Sequence, residues 1–335
     1  WVTWGMKART IFLEGGITPA IYADASRLVT HLDYPLLLPL TEAWLFQWLG
    51  APDDRLAGAA TLGTYLALLG ICYAAVRRRG GGRGLALAVT VAIGGGTSLA
   101  GLAGLVFADV PLALNGTIAA LFLVEWLRGG RRADLLVAAL AGGLLPWTKR
   151  EGLLLAAVLV AALMLWGWRY RRGHVTGRTP PGAGALALAG LVLAGPWWAF
   201  VAWQGVPNSG DFAPVSLALL VEHLDRLPTI VALTAQSVVG TRWNLLWPLA
   251  LLLALFLFTR GDRHVREGDL LPAIAALYVI LAAASYLFSA YDPYQQHVVS
   301  SISRLIAHVT PLVGLWIAWR ALPGASGDAA RPRDS

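Results

Sequence analysis

Two apolar runs long enough to cross a bilayer, residues 84–107 and 110–127, meet at one carboxylate, Asp109, in Phe107-Ala-Asp-Val-Pro-Leu-Ala113. A spanning helix needs about 20 mostly apolar residues. A carboxylate at hydrocarbon depth is costly, so Asp109 belongs at the membrane edge or in a wet cavity, which makes it a candidate functional residue. Asp109 followed by Val110 and Pro111 is also good helix-start chemistry, so an N-cap role stands beside the site role.

Further runs of the same kind follow. Spans are expected at 55–76, 84–107, 110–127, 134–147, 151–168, 183–203, 243–259, 270–289 and 303–320. The chain is 57% hydrophobic and 13% charged, about half the charge of an ordinary soluble domain. The expected fold is an all-α polytopic membrane protein with about nine transmembrane helices and outer-face amphipathic or interfacial helices. Residues 1–54 form an outer-face region, with a short helix over 6–14 ending at Gly15-Gly16 and an interfacial helix within 34–49. Residues 55–320 form the transmembrane domain, with outer-face loops at 204–242 and 290–302, and 321–335 a disordered cytoplasmic tail.

Arginines set the orientation. Arg77, Arg78, Arg79 and Arg83 follow the first span, and Arg128, Arg131 and Arg132 the third. Arg169, Arg171, Arg172 and Arg178 follow the fifth, Arg260, Arg263 and Arg266 the seventh, and Arg320, Arg331 and Arg333 end the chain. These alternate segments hold 17 of the 26 Lys and Arg. By the positive-inside rule they are cytoplasmic, which also separates 134–147 from 151–168. The net charge of +7 is therefore orientation signal and not a nucleic-acid face. Asp109, the Thr148-Lys-Arg-Glu151 turn and both long loops fall on the opposite, outer side.

Several groups on that side can do chemistry. Lys149 and Arg150, adjacent at a membrane edge, suit a lipid phosphate, although a solvated turn has the same composition. Lys7 and Arg9 are either snorkelling cations or partly inward ones. His31 and Asp33 precede Pro35, where Asp33 is also a plausible N-cap. Arg304 and His308 are four apart and share a helix face. Tyr291, Tyr294 and His297 lie in a polar, aromatic stretch of the kind that grips a sugar. Gly94-Gly-Gly96 lies inside a span and is read as allowing close helix approach. There is no P-loop, HExxH, CxxC or GxSxG pattern, and the six His show no metal spacing, so no metal site is assigned. The single Cys72 excludes an intrachain disulfide and reads as a core residue.

The ordered set Trp1-x-x-Trp-x-x-Lys-Ala-Arg9, Asp33-Tyr-Pro-Leu-Leu-Leu-Pro39, Ala108-Asp-Val-Pro-Leu-Ala113, Thr148-Lys-Arg-Glu-Gly152, Gly195-Pro-Trp-Trp198 and Arg304 with Pro311 resembles the C-type membrane glycosyltransferases. These are the enzymes related to protein O-mannosyltransferases and the aminoarabinose transferases of lipid A. The resemblance implies a multi-pass protein of the plasma (inner) membrane with an extracytoplasmic active face. Its donor is a polyprenyl-phosphate sugar, and its acceptor a lipid, glycan or protein. It implies inversion of the anomeric centre, no assured cofactor, and a divalent metal left open. Carried residue by residue, it puts Asp109 and Asp33 in catalytic roles. Lys149, Arg150, Arg304, Lys7 and Arg9 take the donor phosphate, and His31, Glu151, Tyr291, Tyr294 and His297 the substrates. The family's principal acidic residue stands just before the stretch matching Trp1–Arg9, so that carboxylate and a first span are expected upstream of Trp1. Where the aminoarabinose-type pattern has a Lys before its Pro pair, this chain has His31 and Asp33. The competing reading is a flippase for a lipid-linked saccharide, against which stand the one-sided charges and the spans 55–76, 243–259 and 270–289, whose interiors hold no ionisable side chain apart from Cys72 and tyrosines.

Overall fold

A computed structural model describes residues 3–22, 24, 27, 30–172, 182–260 and 266–322. The expected tail, over 323–335, and the arginines at 178, 263, 331 and 333 lie outside the described residues. The described chain is helical: α1 (Gly5–Glu14), α2 (Pro19–Tyr22), α3 (Leu37–Leu49), α4 (Asp54–Arg78), α5 (Arg83–Gly94), α6 (Thr97–Ala103), α7 (Asp109–Gly129), α8 (Arg132–Thr148), α9 (Glu151–Arg171), α10 (Gly182–Trp203), α11 (Leu217–Glu222), α12 (Leu227–Val239), α13 (Leu246–Thr259), α14 (Leu270–Ser285) and α15 (Tyr294–Ala321).

Each expected apolar run is helical, but the count of nine spans is not reached. Among the described residues six helices are long and apolar enough to cross alone (α4, α7, α9, α10, α14 with its flanking turns, and α15). A seventh crossing requires the bent pair α5 and α6 to act as one. The two remaining runs fall short: α8 has 17 residues and α13 has 14. At 1.5 Å per residue they reach about 25 and 21 Å against a hydrocarbon core of about 30 Å.

The run at 84–107 breaks at its glycine triplet, where α5 and α6 bend by 76°. The triplet admits two neighbours: a Cβ at Gly94 would lie 2.7 Å from the Leu69 side chain of α4, the close helix approach expected, and one at Gly96 would lie 2.8 Å from the backbone oxygen of Arg242. The 290–302 segment is helical from Tyr294, which puts Arg304 ten residues inside α15. The 204–242 segment holds α11 and α12 and is tied to the α14–α15 junction. Phe212 bridges Ser289, the Ala213 N–H donates to the Phe288 carbonyl, and the Ala290 N–H to that of Asp211.

Helices α7 and α15 form the centre of the core, packed by α4, α8, α9, α13 and α14, whereas α10 exposes most of its surface. At one end lie ion pairs from Arg79 to Glu125 and from Arg320 to Asp269, with Arg79 stacked on Trp319. A smaller cluster at the other end seats α1 on α3 through Trp4, Ala8, Ile11 and Phe46. As expected, α1 stops at Gly15, whose φ of 71° suits glycine.

Candidate functional site

The site is built on a buried ion cluster. Asp109 does not cap its helix; Ala108 is the N-cap, without a side-chain bond, and Asp109 is the first helical residue. Its Oδ1 accepts hydrogen bonds from Lys149 Nζ and from His308 Nε2, both at 2.9 Å. Lys149 also meets Glu151 at 2.9 Å. Arg304 stands 3.9 Å from Asp109 Oδ2, and His308 Nδ1 lies 2.8 Å from the Tyr278 hydroxyl. A tyrosine hydroxyl donating to Nδ1 leaves the ring proton on Nε2, where it can donate to Asp109. Asp109 and His308 are buried. Two carboxylates and two cations balance, so the cluster carries no net charge with a neutral imidazole.

Local sequence explains the placement. The α8–α9 turn is tight because a Cβ at Gly152 would collide with the Leu145 carbonyl, and this turn aims Lys149 at Asp109. Arg304 and His308, one turn apart on α15, deliver a guanidinium and an imidazole to the same carboxylate.

Beside the cluster is a cavity of about 450 Å³. Of the predicted residues it is lined by His31, Lys149, Arg150, Glu151, Tyr291, His297 and Arg304. Lys149 spends two of its three N–H donors on carboxylates, so one remains for a ligand. The Arg304 guanidinium is beyond hydrogen-bond distance of Asp109 and lies over the Phe107 ring, so its fork can turn to an anion.

The other predicted residues lie elsewhere. Asp33 is not an N-cap, since Leu36 precedes α3; it accepts from Arg150 at 2.7 Å. Arg150 also bonds Asn208 (2.8 Å) and Ser209 (3.2 Å), fastening the 204–242 segment to the 31–34 loop. Lys7 points inward and donates to the His31 and Tyr34 carbonyls; burial pushes its pKa down to about 7, partly opposed by the Asp33 carboxylate. Arg9 is exposed, and Tyr294 packs beneath Arg226 outside the cavity. Tyr291 stacks on His297 at 4.3 Å.

Sequence reasoning left out Tyr278, which sits in an apolar run, and Asp211, which lines the cavity from a segment without periodicity. The four-residue spacing of Arg304 and His308 was the signal available for His308.

These features define a class: a polytopic helical membrane protein with a cation-lined cavity over a buried ion cluster at one end of its bundle. Two solved structures share the fold, both of ArnT from Cupriavidus metallidurans. The apo state has 17% identity and a TM-score of 0.57, covering 96% of this chain and 55% of that one. The state bound to undecaprenyl phosphate has 16% identity and a TM-score of 0.58, covering 96% and 56%. This chain thus spans about half the length of ArnT, and the resemblance to C-type membrane glycosyltransferases holds at the level of the fold. No family model and no curated protein matches the sequence.

Proposed function

We propose that the protein transfers a sugar from a polyprenyl-phosphate carrier to a lipid, glycan or protein acceptor. The reaction takes place at the extracytoplasmic face of the plasma (inner) membrane, and the C-terminus is cytoplasmic. The observation that carries this reading is the pair Lys149 and Arg304, converging on one cavity with donors to spare. The ArnT fold supports it, since one ArnT structure holds undecaprenyl phosphate.

The chemistry asks for such a pair. An acceptor oxygen attacks the anomeric carbon, the carbon–oxygen bond to phosphate breaks, and the departing lipid phosphate gains negative charge. Cations fixed beforehand stabilise that charge where it develops. A single displacement inverts the anomeric centre. Asp109 sits beneath these cations and holds Lys149 by a direct hydrogen bond. Tyr291, stacked on the buried His297 and itself exposed, offers a flat face for a sugar ring. The alternate arginine-rich loops support the orientation, with α8, though short, running back beside α7 so that Lys149 after its end meets Asp109 at the start of α7.

The test uses membranes containing the full-length protein and radiolabelled polyprenyl-phosphate sugars. Label is expected to leave the carrier for a lipid, glycan or protein fraction, and to stay on it with Asp109→Asn. Label that remains on the carrier while changing leaflet would overturn the transferase in favour of a flippase.

A further inference from the structure

We propose that His31 is the general base of this site and that Asp211 positions it. The inference rests on the transferase reading, which requires a proton to leave the acceptor hydroxyl as it attacks.

Neither Asp109 nor Asp33 lines the cavity; among the described residues the carboxylates that do are Glu151 and Asp211. Glu151 is bound to Lys149. Asp109 accepts from a lysine and a histidine beneath the cavity and is not placed to meet an acceptor there. Asp211 differs. Its Oδ1 receives the Tyr291 hydroxyl and its Oδ2 that of Ser209, both at 3.3 Å. Its Oδ2 also faces His31 Nδ1 at 3.5 Å.

His31 Nδ1 is buried and makes no hydrogen bond. Such a nitrogen opposite a carboxylate, slightly too far for a bond, is what an unliganded base and its orienting group look like before substrate draws them together. A bond from Nδ1–H to Asp211 leaves the Nε2 lone pair free to take a proton.

The backbone adds an independent observation. His31 has φ 50°, in the left-handed region that side chains other than glycine rarely adopt. Three groups hold it there. Lys7 Nζ and the Tyr34 N–H both donate to its carbonyl, and the Tyr34 ring packs on the imidazole at 4.8 Å. A non-glycine residue fixed by its surroundings in a strained conformation at a cavity wall is the pattern of a functional position.

In the step, the acceptor O–H proton passes to His31 Nε2 and the acceptor oxygen bonds to the anomeric carbon. The electron pair of the broken carbon–oxygen bond leaves with the lipid phosphate. The imidazolium, paired with Asp211, then releases its proton to water.

The experiment compares full-length wild type, His31→Gly and Asp211→Asn in membranes, using whichever radiolabelled polyprenyl-phosphate sugar the unmodified protein turns over. Glycine keeps the left-handed backbone while removing the base. Its kcat is expected to fall by about 10²- to 10⁴-fold with the donor KM unchanged, and added imidazole to restore turnover. Asp211→Asn lowers kcat by a smaller factor, again without raising KM. His31→Asn, which also tolerates this backbone, replaces the glycine variant if that fails to accumulate. Wild-type kcat in the histidine variant overturns the base, as does a loss carried by KM without imidazole rescue. An unmodified protein that transfers no sugar overturns the transferase reading, and this inference with it.

Discussion

Replacing Asp109 by asparagine tests whether the buried cluster is a structural unit. Asp109 is 1% exposed and accepts two charge-assisted hydrogen bonds at 2.9 Å, from Lys149 and His308. Bonds to charged groups are worth about 1.5–3 kcal/mol each. The new amide keeps an oxygen that can still accept one of them, and Lys149 keeps Glu151 as a partner. The loss should therefore sit near the low end of the range for breaking a buried ion pair, about 3 kcal/mol. Equilibrium unfolding in mixed detergent micelles measures this, with Lys149→Met and the double variant completing a cycle. The double variant removes both charges, so it should recover about 2 kcal/mol relative to the sum of the singles. A change below about 0.5 kcal/mol in Asp109→Asn, or strictly additive energies, would refute the cluster as a coupled unit.

Lys149→Ala should weaken binding of the polyprenyl-phosphate donor by about tenfold, as loss of one charge-assisted contact predicts, and an unchanged affinity in a donor titration would remove Lys149 from the clamp. Glu42 is fully buried, neither carboxyl oxygen has a partner, and burial pushes its pKa up to about 8. The folded state then holds a proton that the unfolded state releases from about pH 4.5, so stability falls as pH rises through that window. Glu42→Gln should abolish a slope of roughly 1 kcal/mol per pH unit between pH 5 and 7, read from the same unfolding assay. Above pH 7 Lys7, held down to about 7, contributes the opposite slope.

Much of the architecture was legible because lipid imposes a simple rule: a long apolar run becomes a helix. The rule is silent on breaks. The bend at Gly94–Gly96 sets Gly96 against the backbone of Arg242, far away in the chain, and glycine in an apolar run gives no local sign of it. The early start of α15 was hidden because Tyr294-Gln-Gln-His297 lacks apolar periodicity. The site was legible as parts. Asp109, Lys149 and Arg304 were each readable from charge at a membrane edge, but their convergence is tertiary, across separations of 40 residues and more. Asp211 and Tyr278 carry no sequence signal because a single polar residue in a polar segment, or one tyrosine in an apolar run, is ordinary.

Helix α15 also acts as a ruler against the membrane. Its 28 residues reach about 42 Å at 1.5 Å per residue, roughly 12 Å more than the hydrocarbon core. With Arg320 at one boundary, the surplus falls on the first two turns, which carry Tyr294, Gln295, Gln296, His297 and Ser300. Arg304, sixteen residues from Arg320, then lies about 6 Å below the opposite boundary, within the reach of its own side chain. On the proposed reading, bilayer thickness sets how far the guanidinium must stretch to meet a phosphate at headgroup level. Lengthening the acyl chains of a reconstituted membrane is then expected to draw the two apart and to lower turnover, which ties the proposed activity to the membrane as well as to the protein.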